Sequence, residues 1–94
     1  MNEWKYAQRD PGEELALLHY FTMKKGQGEH AVDFVITIRE YVKPKDPSMP
    51  FFAQADKQTN QRTAPFTPTG WGQTLSDALS NCMEAVRRFP YEPV

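Results

Sequence analysis

Cysteine is nearly absent from this sequence. Cys82 stands alone, so no internal disulfide can form. Only two histidines, His19 and His30, accompany it, which argues against a dedicated zinc site. Long apolar runs are missing as well. No stretch approaches the ~20 residues that a bilayer-spanning helix needs. The first residues also lack a basic segment followed by an apolar one, so secretion is not expected. These absences lead to the expectation of a cytoplasmic protein without membrane insertion, metal or cofactor. A dominant charge is missing too. Eleven Lys and Arg face twelve Asp and Glu, for a net charge of −1. Bulk attraction to nucleic acid is thereby excluded, while a local basic patch is not. The length, 94 residues, suits a single domain with one core.

What is present is a series of short patterned segments. Trp4 and Tyr6 alternate with Lys5 and Ala7, as in a half-buried strand. Asp10-Pro11-Gly12-Glu13 fits a turn. It also fits a helix start, with Asp10 as cap, Pro11 at the first helical position and Glu13 closing a capping box. Leu15 to Met23 is apolar on every side. A helix of that kind is hard to bury in so small a domain, and the Tyr-Phe-Thr centre favours a strand. Glu13 to Leu18 is nevertheless good helix sequence, so residues 14–24 stay open between strand and helix, with strand preferred. Ala31 to Val42 is the clearest strand: Phe34, Ile36 and Ile38 alternate with Asp33, Val35, Thr37 and Arg39. Lys43 to Pro50 holds three prolines and cannot be regular. Phe51 to Asp56 is a short strand, and Lys57 to Thr69 is a polar, proline-punctuated loop with room for one short extended piece.

The last element is a helix. Thr74 suits the N-cap, with Asp77 three residues on. Leu75, Ala78, Leu79, Cys82, Val86 and Phe89 form one apolar stripe. Arg87 and Arg88 suit the negative end of its dipole, and Pro90 ends it. The fold class expected is therefore α+β: an antiparallel β-β-β-β meander followed by one C-terminal helix. One helix covers one sheet face. A second copy of the chain, making a homodimer, is the simplest cover for the other.

Catalytic chemistry has little support. Neither histidine has a carboxylate or nucleophile that sequence alone can place beside it. His19 suits half-buried packing, and His30 suits the surface. Cys82 falls on the helical stripe, as a small buried hydrophobe does. Gly70-Trp71-Gly72 is too short for a phosphate loop and suits a turn into the helix, with Trp71 packed on its first turn. The expected function is binding without catalysis.

Cations and aromatics are better placed than their number suggests. Lys24 and Lys25 flank a glycine-containing loop. Arg39, Lys43 and Lys45 lie along and after the clearest strand, and Lys57 and Arg62 lie in the polar segment. Tyr20, Tyr41, Phe52 and Trp71 are interleaved with them. Single-stranded nucleic acid is bound by this mixture, with cations following phosphates and aromatic faces stacking bases. A solvated sheet face with lysines lying along it has the same composition, and Asp33, Glu40, Asp46 and Asp56 weaken the binding case. On the binding reading, Lys24, Lys25, Arg39, Lys43 and Lys45 contact phosphates, while Tyr41 and Trp71 stack bases.

Val35-Ile36-Thr37-Ile38-Arg39-Glu40-Tyr41 resembles the strand motif of the positive-cofactor-four family, transcriptional coactivators that bind single-stranded DNA. In that family an Ile-Arg-Glu-Tyr strand is the third of a β-β-β-β-α unit, and Ile38 to Tyr41 match it residue for residue. Gly72-Gln73-Thr74-Leu75 resembles the family's glycine-to-leucine approach to the helix, but Trp71 stands where the family has lysine. The segment from Tyr41 to the helix is also about twice the family's length, and the family's basic N-terminal tail is absent. The resemblance implies a dimer and a nucleic-acid role for Arg39 and Tyr41. A rival resemblance covers Phe66 to Phe89. There Gly72, Thr74, Asp77 and Ala78 look like the strand-to-helix segment of HicB-type antitoxins. It implies a partner-binding module with a partial double-stranded-RNA-binding-like fold. The alternative function is accordingly a protein-binding adaptor or antitoxin-like module, in which the apolar sheet face and the Phe51-Phe52 pair meet a partner protein.

Overall fold

The computed structural model describes residues 3–26, 31–57 and 66–88. After a 3₁₀ turn at Glu3–Ala7 come β1 (Ala16–Lys25), β2 (Val32–Tyr41), β3 (Phe51–Ala55), β4 (Thr69–Gly72) and α1 (Leu75–Arg88). The four strands form one antiparallel sheet in the order β1-β2-β3-β4. The α+β class, a meander followed by a C-terminal helix, is as the sequence suggests. Ala16–Lys25 is strand, so the open choice over residues 14–24 falls to strand from Ala16 onward.

One expected strand is lost and one strand appears where none was expected. Trp4 and Tyr6 lie in the 3₁₀ turn, and Tyr6 is 83% exposed, so no sheet face receives it. Alternation over four residues fits one tight helical turn as well as a strand. The fourth strand is instead β4, where the sequence suggested a turn. The Ile38-Arg39-Glu40-Tyr41 motif consequently sits in the second strand of the sheet.

Local chemistry fixes the boundaries. The Glu13 N–H donates to the Asp10 carbonyl at 3.0 Å, which closes a turn and not a helix. The Glu13 carboxylate accepts the Asp10 and Arg9 N–H groups at 3.1 and 3.2 Å, the reach-back of a capping box with no helix after it. Those bonds hold its carboxyl below the ordinary value. The Leu15 N–H donates to Gln8 Oε1 at 2.9 Å and ties this lead-in to β1. At the end of β1, Gly26 takes a φ of 97°, which a side chain would disfavour. Thr74 Oγ1 accepts the Asp77 N–H at 3.0 Å, the expected N-cap of α1.

The core lies between α1 and one face of the sheet. Ala78, Cys82 and Val86 are buried from the helix, and Phe34, Ile36, Ile38, Ala53 and Ala55 from the strands. Leu75 and Leu79 pack beside them as expected, and Phe89 lies outside the described residues. The helix sits directly on β4 because Gly70 and Gly72 face it. A Cβ on Gly70 would stand 2.5 Å from the Cys82 nitrogen and 2.8 Å from the Ala78 carbonyl oxygen. A Cβ on Gly72 would meet the Ala78 nitrogen and stand 2.7 Å from Asp77 Cβ. Only backbone can occupy that layer. Trp71, between the glycines, must point to the opposite face.

Gly72→Ala should lower unfolding free energy by about 1–3 kcal/mol, because helix and strand must separate to admit the methyl group. Gly12→Ala is the control, since nothing lies within 4 Å of a Cβ there, and its change should stay within about 0.5 kcal/mol. Urea titration of both variants decides it. Equal stability for the two would show that the close approach carries no constraint.

Candidate nucleic-acid interface

Among the described residues, no helix covers the sheet face away from α1. The register places Leu18, Arg39, Phe52 and Trp71 in one row across the four strands, with Tyr20, Thr37, Gln54 and Thr69 in the next. Tyr20 is 64% exposed and Trp71 47%. The Trp71 ring lies 4.5 Å from that of Phe52 at an interplanar angle of 40°. It is stacked at 6.4 Å and 22° with that of Tyr41. The aromatic group thus spans β2, β3 and β4.

The segment after Tyr41 folds beside this group. The Tyr41 N–H donates to the Pro50 carbonyl at 3.0 Å, which brings the two ends of the loop together. Inside the loop, Asp46 Oδ1 accepts the Ser48 N–H at 3.0 Å and the Ser48 hydroxyl at 2.7 Å. The Ser48 bonds hold the Asp46 carboxyl below its ordinary value. The result is an open groove of about 600 Å³ lined by Lys43, Pro44, Lys45, Asp46 and Met49 together with Tyr41, Trp71 and Glu14.

Four residues singled out in the sequence, Tyr41, Lys43, Lys45 and Trp71, therefore line one groove. Arg39 lies in the adjoining row of the same face. Trp71 faces this groove and not the first turn of the helix. Lys24 is exposed on the same face at the far end of β1, away from the groove.

Lys25 has a different task from the phosphate contact expected of it. Its parity puts it on the helix side, where Nζ donates to the Val86 carbonyl at 2.5 Å and the Arg87 carbonyl at 3.4 Å. It thus satisfies carbonyls at the C-terminal end of α1. Partial burial pulls its ammonium below the ordinary lysine value. Lys57 is also engaged, donating to the Asp33 carbonyl at 2.6 Å, and Arg62 and His30 lie outside the described residues.

Sequence reasoning missed Glu14, Pro44, Asp46 and Met49 as groove residues. Only Glu14 carried a signal, because it shares strand parity with Ala16, the partner of Tyr41. It also missed the partner of His19. That side chain is half-buried, as expected, and its Nε2 lies 3.1 Å from Glu40 Oε1 across the β1–β2 ladder. Among the described residues no group of three or more His, Cys, Asp or Glu side chains could hold a metal ion. No helix among them is long and apolar enough to cross a membrane.

Cys82 is fully buried, with Sγ 3.6 Å from the Pro68 carbonyl oxygen. Burial pushes the thiol up to about 11, against a smaller opposing effect of a backbone hydrogen bond from Ala55. No family model, curated protein or solved structure matches the chain.

The thiol should not react with a thiol reagent at pH 8 in the folded protein and should react at once in urea. The folded state favours the protonated thiol. Its stabilising contribution is therefore complete below the ordinary value of 9.0 and declines as pH rises from there towards about 11. Urea midpoints measured across that range for the native protein and Cys82→Ala should separate this contribution from other titrations. A fast reaction in the folded protein would contradict the burial.

Proposed function

We propose that the protein binds single-stranded nucleic acid on the open sheet face, without catalysis. Bases stack on Trp71 and Tyr41, and Arg39, Lys43 and Lys45 contact phosphates. Lys24 supplies an outlying cation on the same face. One observation carries this reading: an exposed Trp71, stacked with Tyr41 and tilted against Phe52, shares a groove with two lysines. Stacking needs an accessible ring face, and a duplex hides its base faces whereas a single strand offers them. A groove of about 600 Å³ is within the usual range for ligand sites. The Ile38-Arg39-Glu40-Tyr41 strand, similar to that of the positive-cofactor-four family, supports the same reading, since Arg39 and Tyr41 share the open face.

Electrostatics limit the affinity. Glu14 and Asp46 stand in the same groove as Lys43 and Lys45. Asp46 is turned towards Ser48 and its field is partly met there. Stacking therefore supplies much of the binding energy, and sequence preference is weak.

Titration of a labelled oligothymidine at several salt concentrations tests this. Three phosphate contacts give a slope of log K against log salt of about −2. Trp71→Ala should weaken binding roughly 5- to 150-fold, the equivalent of one stacked base. Lys43→Ala should reduce the slope by about 0.7. Absence of binding in low salt would end the proposal. A protein co-purifying in stoichiometric amount, with no oligonucleotide affinity, would assign this face to an adaptor function instead.

A further inference from the structure

We infer that β1 pairs edge to edge with β1 of a second copy, in antiparallel register about a two-fold axis at His19. This inference is independent of the nucleic-acid reading. It also differs from a dimer in which one copy covers the sheet face of the other, because it leaves that face open.

The two sheet edges differ. β4 has four residues, and its Trp71 carbonyl accepts Asn81 Nδ2 at 2.7 Å, so the helix closes that edge. β1 has ten residues. The Val42 N–H donates to the Leu15 carbonyl at 3.1 Å, which fixes the phase of the β1–β2 ladder. Odd-numbered residues of β1 turn their backbone polar groups to β2. Ala16, Leu18, Tyr20, Thr22 and Lys24 turn theirs outward, and no hydrogen bond to them occurs among the described residues. Proteins usually guard such an edge with proline, a bulge or charge. Here the middle of the strand is apolar on both sides: Leu17 is 40% exposed, Leu18 44%, Tyr20 64% and Phe21 36%.

Symmetry then selects the register. A two-fold axis perpendicular to the sheet keeps partnered residues on the same face, so each residue meets one of equal parity. Centring on His19 sets Leu17 against Phe21 of the second copy and Leu18 against its Tyr20. All four exposed apolar residues are thereby matched. The same register sets Glu14 against Lys24 of the second copy, twice by symmetry. Neither side chain has an ion pair or hydrogen bond among the described residues. Moving the centre to Tyr20 would set Glu14 against Gly26 and Lys24 against Ala16. Moving it to Leu18 would set Glu14 against Thr22 and Lys24 against Gly12. Charge and apolar matching coincide only at His19.

Sedimentation of the full chain, from low to high micromolar concentration, should show a monomer–dimer equilibrium. Leu18→Pro removes an outward N–H without touching the β2 ladder, as proline does on edge strands. It should weaken the dimer at least about tenfold, because two hydrogen bonds vanish per dimer. Glu14→Lys and Lys24→Glu should each weaken it several-fold, and the double exchange should restore it. Both exchanges alter exposed side chains and carry the test even if Leu18→Pro fails to fold. A chain monomeric at every concentration overturns the inference. So does a dimer indifferent to Leu18→Pro in a protein with native circular dichroism. A dimer lost in Trp71→Ala but not in the edge variants would overturn it in favour of packing through the open face. Failure of the double exchange to restore association would overturn the His19 register.

Discussion

The architecture depends on how closely α1 lies on β4. Gly70 and Gly72 leave only backbone where a side chain would strike Ala78, Cys82 or Asp77. That contact sets the height of the helix above the sheet, and the depth at which Ala78, Cys82 and Val86 meet Ile36, Ile38 and Ala53 follows from it. The pleat does the rest. With glycine on the helix side at alternate positions, the residue between them is driven outward, and that residue is Trp71. The packing that completes the core is also what presents the largest exposed ring to solvent.

Burial is uneven as a result. The helix covers the β3–β4 half of the sheet and reaches β2, whereas β1 meets it chiefly through Lys25 at one end and Met23 beside the core. The β1–β2 hairpin therefore shows apolar side chains on both sides, Leu17 and Phe21 on one, Leu18 and Tyr20 on the other. The open face combines this apolar half with an aromatic, lysine-flanked half at the β4 end. The two halves suit different ligands: backbone and hydrocarbon at the edge, ring faces and phosphates at the groove.

Much of the fold was legible in the sequence where local and non-local demands agree. The alternation of Phe34, Ile36 and Ile38 defines β2, and all three are buried. Thr74 and the Ala78-Cys82-Val86 spacing define α1. β4 was not legible, because its glycines weaken strand propensity and only the helix, which follows in the chain, gives them a reason. Trp4-Tyr6 misled for the converse reason: its alternation is real, but the segment closes as a 3₁₀ turn. For the site, strand parity already placed Arg39 and Tyr41 on one face. Parity also placed Lys25 with Met23 on the other side, a clue outweighed by the simpler picture of a basic loop. The groove was hidden because it depends on how the 43–50 segment closes. That closure rests on Pro50 meeting Tyr41 and on Asp46 meeting Ser48, pairings that no periodicity reveals.

The bond from Lys25 to Val86 joins residues 61 apart in the chain. The strand pairings, by contrast, link neighbours in a meander, whose loops are inexpensive in entropy to close. The lysine clasp can form only after both the first hairpin and the final helix exist. It ties the end of β1 to the far end of the helix from the glycine-seated contact, so the two ends of α1 are held by different means: backbone against backbone at one, a single cation on carbonyls at the other.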